Sequence, residues 1–323
     1  MNLARLASLA VTAVSISIAC CAQAQDYPAR SVRIVLPFAP GGGNDTMARL
    51  VAGKLNAALG QRMLVENRPG GGSVIASETV LQAPADGYTL YLVSSTVAAA
   101  PSLQKNLPFD TIRDFAPITR LGVVPGALTV HAQLPVKDVR QLLALAKARP
   151  GEITFGSGGI GAGSHIGGEI FKHLAKVNLL HIPYKSTAQV TQSLLAGEVM
   201  VSFANPLTAL PYVKNGRLRI LGLTTAARWP LLPEYPTIAE SGVPGYEFLI
   251  WNGMVVKAGT APAIIDRLHR ELATAMTSPD VVSFLQKHGS RAMTQTPAEF
   301  AAFMKHEINL ISEVVRAAGV RIN

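Results

Sequence analysis

Cysteine is nearly missing from this chain, and the two it has, Cys20 and Cys21, lie close to its start. They fall within a segment that has the marks of an export leader. Arg5 supplies a positive beginning, Leu6 to Ala22 is apolar with small polar interruptions, and Ala22-Gln23-Ala24 fits the small-x-small cleavage rule. An uncleaved anchor is the competing reading, but the run is short and rich in Ala and Ser for a span of about 20 residues. Lipidation at Cys20 or Cys21 is a further alternative, although Ser17-Ile18-Ala19 lacks the leucine expected before such a site. Cleavage near Ala24 would leave no cysteine, which excludes disulfides, thiolate nucleophiles and thiolate metal sites. The expected destination is the periplasm.

Charge and aromatic residues are also scarce, at 15% and 6%. Against 49% hydrophobic residues this excludes a disordered chain and predicts a sizeable packed core. The net charge is +9, and removing the leader takes away only Arg5, leaving +8. The basic residues are dispersed and few aromatics accompany them, so a nucleic-acid partner is not expected. A diffuse positive field favours an anionic ligand. After the leader no segment approaches a membrane span without charges or Pro/Gly breaks.

Catalytic signatures are missing too. There is no G-x-S-x-G, H-E-x-x-H or Walker A pattern. The spacing of His165, His173 and His181 does not converge on one metal, and no carboxylate pair sits at neighbouring strand ends as an acid/base couple would. No cofactor and no metal are expected.

What is present is an alternation of short β-branched runs with amphipathic helical stretches. Strands are predicted at 32–36, 62–66 and 89–93, with helices at 44–59 and 73–83 between them. A second alternating unit follows. It has strands at 128–130, 153–155, 179–184, 199–203 and 218–224, and helices at 136–149, 164–176, 187–196 and 207–215. The tail has a strand at 250–256 and then helices at 262–276, 280–287 and 297–317, with no strand among them. This order predicts an α/β protein with largely parallel sheets. Segments near 123–130 and 250–256 would cross between two lobes, 25–124 plus 251–323 and 125–250, as a double hinge. The 323 residues suit two such lobes.

Four strand-following turns are candidate ligand contacts, because ligands in open parallel sheets sit outside the carboxyl ends of strands. In Pro37 to Asp45, three successive glycines exceed what a turn needs, and they precede a helix start whose N–H groups and dipole favour an anion. Phe38, Gly42, Gly43, Asn44 and Asp45 are the candidates there. Asp45 could pair with Arg49 at i,i+4 or accept a bond from a ligand. Ser94 and Ser95 could donate to a ligand oxygen or serve only as turn and cap.

The third turn, Phe155 to His165, contains a literal G-x-G-x-x-G. A dinucleotide site needs an acidic residue about 20 positions on, and no Asp or Glu occurs between Phe171 and Gly197. The loop reads instead as a second anion cradle, with Ser157, Gly161, Ser164 and His165 as candidates. Ser164 is a plausible helix N-cap, and His165 could touch ligand or simply pack. The fourth turn offers Lys185, either an anion partner or a solvated lysine, and Asn205, a good N-cap and a good ligand amide.

Several of these stretches resemble one family. They are Pro37-Phe38-Ala39-Pro40-Gly41-Gly42-Gly43-Asn44-Asp45 with Ala48-Arg49, Val65-Glu66-Asn67-Arg68-Pro69-Gly70-Gly71-Gly72, Ala83-Pro84-Ala85-Asp86-Gly87-Tyr88 and Ile182-Pro183-Tyr184-Lys185. They look like the tripartite tricarboxylate transporter substrate-binding proteins, also called the Bug family, over essentially the whole mature chain. The resemblance implies a type II periplasmic-binding-protein fold, two α/β lobes joined by a double-crossover hinge. It implies a monomeric, non-enzymatic receptor for a small carboxylate, held by backbone amides, hydroxyls and ordered waters. It also implies delivery to a membrane transporter where one exists. A sensor module for a membrane signalling partner and, less favoured, a secreted enzyme acting on a carboxylate remain alternatives. Asn44 stands where many relatives carry Thr.

Overall fold

The computed structural model describes residues 27–41, 43–104 and 106–318. The leader with its two cysteines, and Gly42, lie outside the described residues.

The first lobe is built on a six-stranded sheet. Strand β1 (Val32–Leu36) lies between β2 (Met63–Asn67) and β3 (Thr89–Ser94), parallel to both. Beyond β3 come β10 (Leu249–Lys257), β4 (Phe115–Pro125) and the two-residue β11 (Arg291–Ala292), all antiparallel to their neighbours. Alternation along the central strands splits the core into two faces. Ile34, Leu36, Leu90, Leu92, Met254 and Val256 meet α1 (Gly43–Leu59), α8 (Pro262–Met276) and α9 (Pro279–Lys287). Val35, Tyr91, Val93 and Val255 meet α2 (Val74–Leu81), α3 (Ser95–Leu103) and α10 (Pro297–Ala318). Helix α1 forms because Met47, Val51, Leu55 and Leu59 recur at helical spacing, and all four are buried. Burying such a side chain contributes about 1.5–3 kcal/mol.

The second lobe is a five-stranded sheet in the order β7 (Leu180–Pro183), β6 (Thr154–Ser157), β8 (Val201–Ser202), β5 (Ala127–His131), β9 (Leu218–Leu223). It carries α4 (Val139–Ala148), α5 (Gly163–Ala175), α6 (Thr187–Ala196) and α7 (Pro206–Lys214).

The α/β class and the two lobes match expectation. Neither sheet is largely parallel, however. The parallel parts are β2-β1-β3 and β7-β6-β8, and antiparallel pairs enter wherever a crossing strand joins. The chain leaves the first sheet at Pro125 and enters the second at Ala127. Gly126 between them is pinned by Thr224, whose Oγ1 accepts the Gly126 N–H at 2.7 Å and whose own N–H donates to the Gly126 carbonyl at 3.0 Å. A side chain at Gly126 would meet the Phe203 carbonyl oxygen at 2.8 Å and Thr224 Cγ2 at 3.0 Å, so the first crossing segment packs tightly against the second lobe here. Helix α10, about 33 Å long at 1.5 Å per residue, packs on α3 of the first lobe and on α5 of the second.

Three local expectations need correction. Ser94-Ser95-Thr96 opens a helix, α3, where none was predicted, although Ser94 takes the capping role that was one of its two expected roles. The tail contains a strand, β11, too short to show a periodicity. Ser164 is not a helix cap: α5 begins at Gly163 after Ala162, and the serine hydroxyl accepts from Gly158 N–H instead.

Candidate functional site

The loop after β1 is shaped by Asp45. Its carboxylate, 4% exposed, accepts from Gly41 N–H at 2.9 Å, from Asn67 Nδ2 at 2.9 Å and from Arg49 Nε at 3.1 Å. Asn67 Nδ2 also donates to the Phe38 carbonyl, which ties the loop to the end of β2. The Arg49 guanidinium, then the Gly41 and Asn67 donors, hold the Asp45 carboxyl down at about 2. Between the two roles open to Asp45, the structure displays the internal one. Gly41 takes a positive φ of 84°, which only glycine adopts without strain. Gly43 begins α1, and half-buried Asn44 follows it on the first turn.

The Phe155–His165 loop is held by neutral groups. Ser157 Oγ lies 2.6 Å from His181 Nε2 and 3.1 Å from the Gly159 carbonyl. His165 Nδ1 accepts the Gly161 N–H at 3.1 Å, so its proton sits on Nε2. The His165 ring is fully buried and stacks on His181 at 4.1 Å, and His181 stacks in turn on Phe155 at 4.7 Å. Burial lowers the His165 pKa to about 3 and the His181 pKa to about 4, with the Lys172 charge adding to both. The loop touches the first lobe across the gap. A Cβ on Gly161 would stand 2.8 Å from Leu103 of α3, and one on Gly163 would stand 2.6 Å from Ile250 of β10.

The fourth turn divides. The Lys185 backbone N–H is taken by Gln189 Oε1, and the residue is exposed. Asn205 caps α7 through Oδ1, which accepts from Leu207 N–H at 2.9 Å. Its Nδ2 donates to the His288 carbonyl at 3.0 Å, linking the second lobe to the end of α9 in the first.

A cavity of about 160 Å³ opens at this junction. Asn44 and Met47 line it from α1, Asn205 from the second lobe, and Asn252, His288 and Ser290 from β10 and the segment after α9 of the first lobe. Gly122, Val123, Val124, Ile250, Phe284 and Leu285 complete the lining, and among the described residues that line it there is no lysine or arginine. Of the residues expected from sequence, Asn44 and Asn205 therefore share one cavity. Ser94 adjoins it, because Ser94 is the register partner of Asn252. Phe38, Gly43, Asp45, Ser95, Ser157, Gly161, Ser164, His165 and Lys185 lie outside the cavity's lining. Asn67, Asn252 and Ser290 were not anticipated. Asn252 sits on the antiparallel β10, where a rule about the carboxyl ends of parallel strands gives no signal.

Two α/β lobes joined by crossing strands, with a small cavity of mixed apolar and amide lining at the junction, define a solute-receptor architecture. The family described as the tripartite tricarboxylate transporter family receptor matches residues 47–320, and this chain belongs to it. It is 34% identical to Protein BugT of Bordetella pertussis over all of both chains. It is also similar to two solved structures. One is Rpa4515 of R. palustris with adipate, with a TM-score of 0.79, 33% identity, and coverage of 92% of this chain and 100% of that one. The other is MatC of Rhodopseudomonas palustris with bound malate, with a TM-score of 0.76, 29% identity, and coverage of 90% and 100%.

Proposed function

We propose that this receptor is exported to the periplasm, captures a small carboxylate between its lobes, and presents it unaltered to a membrane transporter of the tripartite tricarboxylate type. The observation that carries this reading is the cavity shared by Asn44 at the start of α1 and Asn205 of the opposite lobe. A carboxylate there meets the positive end of a 17-residue helix and neutral amide donors. Such donors need no arginine and avoid the cost of desolvating a second charge. The lobes, 25–124 plus 251–323 and 125–250, close by bending at Gly126 and Thr224, and Asn205 latches onto the His288 carbonyl. Closure excludes water and strengthens each hydrogen bond. The adipate and malate held by the two solved relatives support a carboxylate as the guest.

The test is a thermal-shift screen of the purified mature chain against small mono-, di- and tricarboxylates and their uncharged amides, followed by recovery of the bound compound. A ligand at 100 times its Kd adds about 2.7 kcal/mol, a rise of roughly 5–10 °C at about 2–4 °C per kcal/mol. Recovery of the compound unchanged supports capture. A response confined to uncharged compounds, or a chemically altered ligand, refutes the reading.

A further inference from the structure

We infer that Asn252 is a specificity-determining ligand contact, and that the preferred guest is a small acid that also carries a hydroxyl or carboxamide able to donate a hydrogen bond. This rests on the receptor reading above.

Asn252 lies on β10 with Ser94 of β3 opposite it on one side and Gly122 of β4 on the other. Its side chain faces the same side of the sheet as Met254 and Val256, the side covered by α1 and α9. It therefore projects under the first turn of α1, into the cavity that Asn44 and Asn205 also line. The ladder with β4 shifts register between Asn252 and Gly253, where Leu121 of β4 is the extra residue, so alternation along β10 itself is unbroken.

The Asn252 Oδ1 atom is shielded from solvent and has no hydrogen-bond partner. A buried acceptor left unpaired is costly, and groups of this kind in native structures call for a partner. Asn252 lines the cavity and is itself only partly buried, so a rotation of its amide toward a bound guest would let the guest supply it. An ionised carboxylate cannot, because it only accepts hydrogen bonds. A hydroxyl or an amide N–H can. The cavity has room for about five water volumes at ~30 Å³ each, enough for a short acid with one such substituent. A plain diacid of the same length would leave Oδ1 unpaired. Sites built to pair a polar group discriminate strongly against analogues that lack it.

The experiment is titration calorimetry of the mature protein with three probes of matched length: succinate, malate and succinamate. The parent is expected to bind malate or succinamate at least about tenfold tighter than succinate, the scale set by one unpaired buried acceptor. Asn252→Leu, close in size but without polar atoms, should bring that ratio to about one while succinate binding persists. Equal affinity of the parent for all three probes overturns the inference and leaves the receptor reading standing, as does a ratio unchanged in Asn252→Leu. If the leucine variant does not fold, Asn252→Asp decides. It keeps an acceptor but adds a negative charge, so it should weaken all three probes while retaining the preference for the hydroxyl or amide. Unchanged affinities in Asn252→Asp overturn the inference. A parent that binds none of the three and answers only to uncharged succinamide overturns the inference and the carboxylate reading together.

Discussion

The loop after β1 and the loop after β6 are both glycine-rich strand-to-helix turns, and they are braced by opposite chemistry. In the first, an ionised carboxylate, Asp45, collects three donors. In the second, two neutral imidazoles and a serine hydroxyl do the work, with His165 and His181 stacked inside the lobe. Glycines free the backbone in both turns. They do not decide its shape, which is set by the side chain that gathers the freed N–H groups. An acid can serve in the first loop because Arg49, half in solvent, balances its charge. In the second loop the rings are buried, and the nearby Glu169 carboxylate is already paired with Lys172, so a neutral acceptor such as His165 Nδ1 fits where a further charge would be expensive.

The largest consequence is the response to acid. Burial keeps both rings neutral in the folded chain, at about 3 for His165 and about 4 for His181, whereas an unfolded chain protonates them near 6.5. Their contribution to stability is therefore complete above pH 6.5 and falls as pH drops from there toward 4. At 1.36 kcal/mol per pH unit, each ring costs about 2 kcal/mol by pH 5. Asp45 behaves differently. Its support is complete above the ordinary carboxylate range near 3.9 and is lost only as pH falls toward about 2. Urea unfolding of the parent should thus lose about 4 kcal/mol between pH 7 and pH 5. His181→Gln should lose about half as much over the same interval. An identical slope in the two proteins would assign the acid sensitivity to other groups.

Removing the first brace should act more on binding than on the fold. Asp45→Ala strands the Gly41 N–H and the Asn67 amide, at a cost of about 1–3 kcal/mol. That cost falls on a surface loop next to the cavity rather than on the core. Affinity for a carboxylate should drop about tenfold or more, the factor that corresponds to 1.4 kcal/mol, while the urea midpoint moves by less than in any core truncation such as Leu55→Ala, worth about 2–5 kcal/mol. Calorimetry and urea unfolding of the same sample make the comparison. A large midpoint shift with intact affinity would make Asp45 a folding residue unconnected with the site.

The sequence made the elements legible where a single rule sufficed. Helices α6 and α8 fall at 187–196 and 262–276 as the spacing predicts, because their apolar stripes are bounded by clear stop signals. Helix α3 was hidden by its composition. Its run of alanines with Pro101 inside gives no stripe, and the serines before it look like a turn. The site was legible where main-chain chemistry leaves a mark in glycine and asparagine, hence Asn44 and Asn205. It was not legible where two distant strands must first be laid side by side. Asn252 and Ser94 are neighbours only because β10 returns antiparallel to β3. Asn67 ends β2, and nothing local shows that it reaches Asp45, 22 positions earlier.

The smallest effect compares the two loops at one glycine each. Gly41 and Gly161 share nearly the same backbone angle, with φ of 84° and 81°. Alanine in this left-handed region costs about 1–2 kcal/mol at either site. The surroundings differ. Nothing lies within 4 Å of a Cβ on Gly41, whereas one on Gly161 would stand 2.8 Å from the Cδ1 of Leu103. Leu103 belongs to the opposite lobe, and a methyl at the end of a flexible side chain can retreat, so the added cost should be near the low end of overpacking, about 1 kcal/mol. Because that contact crosses the gap between lobes, opening relieves it. Gly161→Ala should therefore favour the open form and weaken ligand binding about fivefold more than Gly41→Ala does, at 1.4 kcal/mol per tenfold. Equal losses in the two variants would show that the second loop does not press on α3 when the receptor closes.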